Sequence, residues 1–550
     1  MKQNAFKLLI LFTLLLTGTT LYSQHEGVST VDSLDQKYLN WFNLSPSVDK
    51  QEGAAVNQAY SELLKNKIPQ KKIVVAVIDC GVDVSHPDLQ GKIWTNKREI
   101  AGNKIDDDNN GYVDDINGWN FLGNSKGEDI WYENLEYVRI YKKLKPKFEN
   151  IQNVNEVSAA DKESYELYTE CKKKYTEELD NYTSMMKRID DFEAKLNSQD
   201  SLIKAYLQKD EFTQSDLEAI NTDSVPITKA KDYLIGLSKK GFTPRTLTGM
   251  RARVSGYLDY YLNLDFNPRK LISDNLDDIT DNKYGNNDVI GPDAFHGTFV
   301  AGIIAADRDN GIGINGIAGN SEIMVLRVVP DGDERDKDVA LAIRYAVDNG
   351  ANIINMSFGK YYPTHKQFVD DAVKYADAHN VLFVHAAGNE GDNLDNLKHY
   401  PTKMMSDGSE VNNWITVGAN SNELNKNLCG AFSNYGPKSV DVFAPGVNII
   451  SLYPHSSYEM GNGTSYSCPV VAGVAALVWS YYPQLTAAEV KSVLLKSITK
   501  NRKLKVIVPN MVTDKKTEAK FSKLSVTGGI INAHDALLRA EKVAKKKKTN

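Results

Sequence analysis

The stretch GNGTSYSCP, Gly461 to Pro469, crowds Thr464, Ser465, Ser467 and Cys468 together just before the apolar run VVAGVAALVW, Val470 to Trp479. A hydroxyl is too weak an acid to attack an amide at neutral pH, so it becomes a nucleophile only with a base in hydrogen-bond reach. Two other segments supply a base and a group to orient it. VAVIDCGVDVSHPDL, Val75 to Leu89, carries Asp79 at the end of an apolar run, and HGTFVAGIIAA, His296 to Ala306, opens an apolar run with His296. An imidazole takes a serine proton and returns it to the leaving amine, while a carboxylate fixes its tautomer and stabilises the imidazolium. Each piece alone has a plainer structural reading. Gly-Thr-Ser before a helix is an N-terminal cap, a lone Asp ends a strand, and a His opens a helix without doing chemistry.

The elements that must hold these groups are readable from hydrophobic patterning. IVVAVID, Ile73 to Asp79, is continuous and β-branched, as a strand buried on both faces requires. IMVLRVV (Ile323 to Val329), ANIINMS (Ala351 to Ser357), VLFVHAA (Val381 to Ala387) and WITVGA (Trp414 to Ala419) repeat that texture. Helical patterns lie between them, at Asp338 to Gly350 and Lys366 to His379. Strands alternating with helices predict an α/β fold: a mostly parallel sheet with helices on both faces. Asp79 then falls at the carboxyl end of a core strand, where sites in open α/β sheets gather. Ser465 at a helix N-terminus gains a partial positive field and a backbone N–H beside any developing oxyanion.

Taken jointly, Asp79-Cys80-Gly81, His296-Gly297-Thr298-Phe299-Val300-Ala301-Gly302 and Gly463-Thr464-Ser465-Tyr466-Ser467-Cys468-Pro469 resemble the motifs of the subtilisin-like serine peptidases, the subtilases. Those run Asp-x-Gly, His-Gly-Thr-x-Val-Ala-Gly and Gly-Thr-Ser-x-x-x-Pro, in that order. The resemblance covers about Val75 to Gln90 and Asp288 to Ser497. It implies a subtilisin-like fold and a serine endopeptidase acting through an acyl-enzyme, with Asp79, His296 and Ser465 catalytic and no cofactor required for the chemistry. It further implies that Asn389, in Ala386-Ala387-Gly388-Asn389, donates to the oxyanion. Ser357, Phe358 and Gly359, with Ala387 and Gly388, would line the cleft and its primary pocket, and substrate would bind as an added strand. Phe358 stands where smaller aliphatic residues are common, and Phe299 where a second His is often found. Two other readings keep the scaffold: a non-catalytic binding protein, or an exopeptidase with an occluded cleft.

The rest of the chain sets address and organisation. Lys2 and Lys7, the apolar Leu8 to Leu16, and small residues up to Gln24 read as a signal peptide over 1–24, so export to periplasm, outer surface or medium is expected. No integral membrane segment is expected after its removal. The 550 residues carry a net charge of only −6, which argues against nucleic acid as a partner. Cys80, Cys171, Cys429 and Cys468 fit no zinc or disulfide framework, and buried small hydrophobes explain them as well. An N-terminal segment is assigned to 25–72, the peptidase domain to 73–125 and 280–540, and a polar, Gly- and Pro-poor insertion to 126–279. A helical hairpin or short coiled coil is expected for this insertion, and partner binding is a candidate role. The basic tail, 541–550, reads as a solvated end. KIDDDNNGYVDDINGWNF, Lys104 to Phe121, offers Asp106, Asp108, Asn110 and Asp114 as oxygen ligands for a structural calcium, though Asn117 stands where an EF-hand needs Glu. A solvated Asp/Asn/Gly turn explains the same residues.

Overall fold

The computed structural model describes residues 30–511 and 516–549. The segment read as a signal peptide, 1–24, lies outside the described residues. Among the described residues two compact units emerge, one of those up to Trp131 together with those from Pro268 on, and one of Tyr132–Asn267.

The larger unit is built on strands β1 (Ile73–Asp79), β2 (Gly118–Asn120), β3 (Ser321–Arg327), β4 (Ile353–Met356), β5 (Leu382–Ala386), β6 (Trp414–Asn420), β7 (Val442–Pro445), β8 (Ile449–Tyr453), β9 (Ser457–Gly461), β10 (Ile498–Thr499), β11 (Lys505–Ile507), β12 (Glu518–Lys520) and β13 (Ile530–Ile531). Nine form one sheet in the order β10-β13-β7-β6-β5-β4-β1-β3-β2. Every neighbouring pair is parallel except β10 and β13. Helices α1 (Phe295–Ala305), α2 (Asp336–Asp348), α3 (Lys366–Ala378), α4 (Thr464–Tyr481), α5 (Ala487–Leu495) and α6 (Ala533–Thr549) cover it.

β1 shows why its sequence does not alternate. Val75 and Val77 enter one core with residues of α1, α4, α5 and α6. Ala76 and Ile78 enter the other, with residues of α2 and α3. Each fully buried Val or Ile side chain contributes roughly 1.5–3 kcal/mol, against about 1 kcal/mol net for a ladder hydrogen bond. Side-chain burial therefore sets the register, since a one-residue slip would exchange the two faces. Helix α4 is buried at every position but Ser465, which explains its unbroken apolar run.

The N-terminal segment joins the first core through Trp41, Phe42, Val56 and Ala59. The basic tail departs from the sequence expectation. It is not a free solvated end: α6 continues to Thr549. Ala540 and Ala544 are buried, Lys547 Nζ donates to Glu489 Oε2 at 2.6 Å, and Lys545 pairs with Glu541 at 2.9 Å. The lysine run hid small apolar residues at helical spacing, and those carry the docking.

The second unit is more than a hairpin. A helix at Lys162–Leu207 is joined by helices at Glu136–Phe148, Gln214–Ala219, Val225–Ser238 and Pro244–Gly256. Small apolar clusters around Ile203 with Ile227, and around Ile189 with Val254, bury its apolar stripe. Capping boxes at Thr213 with Asp216 and Thr243 with Thr246 start two of these helices.

Candidate active site

Asp79 is the last residue of β1 and His296 the second of α1. Their backbones meet because two glycines permit it. A Cβ on Gly297 would lie 2.0 Å from Gly81 O, and Gly81 itself sits at φ +129° with Ile290 O pressed against it. Glycine is thus required on both sides of the strand–helix contact. That approach leaves His296 Nδ1 2.8 Å from Asp79 Oδ1 and 3.0 Å from Oδ2. Asp79 is 2% exposed, and its Oδ1 also accepts from Cys80 N at 2.8 Å. Burial opposes the imidazolium, but the charge and hydrogen bond of Asp79, with Asp293 adding, outweigh it and hold the His296 pKa above its usual value. The Tyr466 ring lies 5.9 Å from the His296 ring and stacks on Phe299 at 4.0 Å, so Phe299 serves packing.

Ser465 is the second residue of α4, and Pro469 explains the turn around it. Proline has no N–H, so the Ser465 carbonyl loses its normal partner four residues on. Ser357 Oγ donates to that carbonyl at 2.8 Å instead. In return Ser465 Oγ donates to Ser357 O at 2.9 Å rather than to His296. The hydroxyl of Ser357, expected along the cleft wall, is therefore turned inward, held by Asn355 Nδ2 at 2.9 Å. Cys468 Sγ donates to Asn355 Oδ1 at 3.2 Å, which fixes that amide's orientation.

Thr464, read from sequence as a cap or turn residue, has a more specific position. Its hydroxyl accepts from Gly388 N at 3.0 Å and donates to Asn389 Oδ1 at 3.0 Å, and its own N–H donates to Asn389 Oδ1 at 2.9 Å. Two donors on Oδ1 leave the Asn389 Nδ2 donor exposed. Tyr466 N donates to Gly463 O, whereas the Ser465 N–H, in the same first turn, makes no such backbone bond. The sequence signal for Thr464 was its place beside Ser465.

Gly359 follows β4 and Ala387 and Gly388 follow β5, strands paired with Met356 opposite His385. Phe358 is half-buried and its carbonyl accepts from His385 Nε2 at 3.0 Å. In the acidic loop, Glu99 joins Asp106 and Asp108, with carboxylate oxygens all within 4.8 Å of one another. Asp114 is turned away, accepting from Gly102 N and Lys104 N at 2.8 and 2.9 Å. Asn110 Nδ2 donates to Asp115 Oδ2 at 3.0 Å. Glu99 lies outside the D-x-D-x-N-G spacing, so no local pattern points to it. All four cysteines are free thiols.

Comparison with known proteins meets this geometry from another side. A family model described as the subtilase family matches residues 70–513. Subtilisin DY of Bacillus licheniformis is 37% identical over 206 residues, 37% of this chain and 70% of that protein. The cell wall-associated protease of Bacillus subtilis (strain 168) is 36% identical over 40% of this chain but only 23% of its own length. Among solved structures, one of the subtilase cytotoxin SubAB matches with a TM-score of 0.37 at 27% identity, covering 45% of this chain and 77% of that one. With most of its length matched by one family model, and its sheet, helices and glycine contacts built as described, the chain belongs to the subtilase family of serine peptidases.

Proposed function

We propose that the protein is an exported serine endopeptidase in which Ser465 is the nucleophile, His296 the general base and acid, and Asp79 the group that orients His296. The observation carrying this reading is the Asp79–His296 hydrogen bond, 2.8 Å at the carboxyl end of β1 and beside the N-terminal turn of α4. A χ1 rotation takes the Ser465 hydroxyl from Ser357 O towards the imidazole. His296 then accepts its proton as Oγ bonds to the scissile carbonyl carbon, Asp79 stabilises the imidazolium, and the proton passes to the leaving amine as the C–N bond breaks. Water, deprotonated by the same histidine, then bonds to the acyl carbon, and the imidazolium returns that proton to Ser465 Oγ as the Oγ–C bond breaks. Asn389 Nδ2 and the Ser465 N–H would donate to the oxyanion.

A fluorophosphonate probe tests this directly. Wild type labels and cleaves peptides; Ser465→Ala does neither while keeping the wild-type circular dichroism spectrum. Equal turnover in the variant refutes the assignment. The Ser465 hydroxyl held by Ser357 O is what a non-catalytic scaffold would also present, and an unlabelled wild type would favour that reading.

Three further assignments belong to the same proposal. Export rests on the character of 1–24, and no helix among the described residues is long and apolar enough to cross a membrane. A structural calcium would be held by Glu99, Asp106 and Asp108, whose hard oxygens suit that ion. The unit Tyr132–Asn267 is the candidate partner-binding region, its surface being rich in charge outside the small apolar clusters.

A further inference from the structure

We propose that the primary pocket selects lysine or arginine as the residue supplying the scissile carbonyl; this rests on the peptidase reading above. Gly359 and Gly388 lie just beyond β4 and β5, and one side chain, His399, comes close to both, with Asn434 Nδ2 nearest to Gly388. A Cβ on Gly359 would be 2.2 Å from His399 Cε1, and one on Gly388 would be 3.2 Å from His399 Nε2 and 2.8 Å from Glu390 Oε2. His399 thus forms the floor and Glu390, the residue after Asn389, a wall.

The charge on that wall is unbalanced. Tyr361 OH lies 3.0 Å from Glu390 Oε2 and 2.8 Å from Asp392 Oδ2, but it has a single proton to share between the two. Asn434 Nδ2 donates to Glu390 Oε2 at 2.7 Å, and its Oδ1 accepts from Asp392 N at 2.7 Å, so a neutral amide pins this loop. Among the described residues no lysine or arginine pairs with Glu390 or Asp392. His399 does not neutralise them either. It is 9% exposed, burial holds its pKa below the usual histidine value despite both carboxylates, and its Nδ1 has no hydrogen-bond partner. Beneath it His385 is likewise neutral, its pKa pushed down to about 3 by burial and then by His399.

A pocket floored by a neutral imidazole, and walled by two carboxylates that share one phenol proton and one amide donor, lacks a cationic donor. An ammonium or guanidinium supplies it: charge for Glu390 and Asp392, and N–H groups in number. Glu390 is exposed and Asp392 half-buried, so a long side chain reaches both while its stem lies along Phe358.

The test uses the full chain and peptides identical except for lysine, arginine, norleucine or glutamate before the scissile bond, with cleavage sites read by mass spectrometry. We expect kcat/KM for lysine and arginine to exceed that for norleucine by on the order of tenfold or more at low salt, and the margin to shrink as salt rises. In Glu390→Gln and Asp392→Asn the lysine-to-norleucine ratio falls, and in the double variant it approaches one. Norleucine cleaved as well as lysine, or a ratio unchanged in the folded double variant, overturns the proposal. Should the double variant not fold, wild type alone decides: a peptide aldehyde ending in arginine must inhibit more tightly than its leucine counterpart, and the reverse order overturns the pocket assignment. Fluorophosphonate labelling separates the two claims. A labelled enzyme that prefers norleucine refutes only the basic pocket, whereas a protein that neither labels nor cleaves any peptide refutes the peptidase reading and this inference with it.

Discussion

Thr464→Val isolates the device that aims the Asn389 amide. Valine keeps the branched shape of threonine at a position of 0% exposure, so the change removes a hydroxyl and little else. Two hydrogen bonds disappear, the one from Gly388 N and the one to Asn389 Oδ1, both 3.0 Å. Gly388 is buried, so its N–H is left without an acceptor, a loss of about 1–3 kcal/mol, and the bond to Asn389 adds about 1 kcal/mol. The fold should therefore lose about 2–4 kcal/mol by urea denaturation. The effect on turnover is smaller, because the Thr464 N–H still holds Asn389 Oδ1 at 2.9 Å. One of two anchors, worth about 1 kcal/mol in the transition state, corresponds to a fall in kcat of about fivefold. Removing the amide itself, in Asn389→Leu, should lower kcat by about 10²–10³, a range measured for subtilisin's own oxyanion asparagine. The decisive measurement is the double variant. If Thr464 acts through Asn389, adding Thr464→Val to Asn389→Leu leaves kcat unchanged while still lowering stability. A fivefold loss that persists without the amide, or a kcat for Thr464→Val within experimental error of wild type, refutes the reasoning. Thr464→Ser, which keeps the hydroxyl, should restore most of the turnover.

The raised His296 pKa predicts a pH dependence of definite sign. The imidazole must be neutral to accept the serine proton, so kcat/KM should rise with pH through a midpoint above 6.5, and Asp79→Asn should move that midpoint down because burial is then opposed by Asp293 alone, the smallest of the raising causes; a wild-type midpoint below 6.5 refutes this. The same pair stabilises the fold fully below the unfolded histidine value of about 6.5, and that increment is lost as pH rises through the raised folded value. For the acidic loop, calcium added to chelator-treated protein should raise Tm, by a stability increment of about 2.7 kcal/mol at a hundredfold excess over Kd. Glu99→Gln with Asp106→Asn should abolish the rise, and a Tm indifferent to calcium in wild type refutes the site.

What was legible in the sequence is what is encoded within a few residues. β1 reads as doubly buried because Val75, Ala76, Val77 and Ile78 are consecutive and apolar, and the structure sends them alternately into two cores. The Asp-x-Gly and His-Gly segments are legible for a related reason, since the contact that brings Asp79 to His296 is possible only where Gly81 and Gly297 lack side chains. Pro469 is visible four residues after Ser465, although only the structure shows that it frees a carbonyl for Ser357. By contrast, the residues placed around the primary pocket are assembled by tertiary closure. Tyr361 comes from the connection after β4, and Glu390 and His399 from the one after β5, and their spacing follows no period that a helix or strand would impose. His399 reaches Gly359 because Lys360 and Tyr400 exchange backbone hydrogen bonds at 2.9 and 2.7 Å, a pairing between loops that leaves no trace in hydrophobic pattern. Glu99 joins Asp106 and Asp108 in the same way, across a turn. The division has a physical consequence for this protein. The machinery proposed to cleave is written in short motifs held by steric necessity, where a methyl group on Gly297 would break it. Selectivity is assigned to loop side chains whose exchange disturbs no strand register, so changing the substrate requires only a few substitutions at positions such as Glu390 and Asp392.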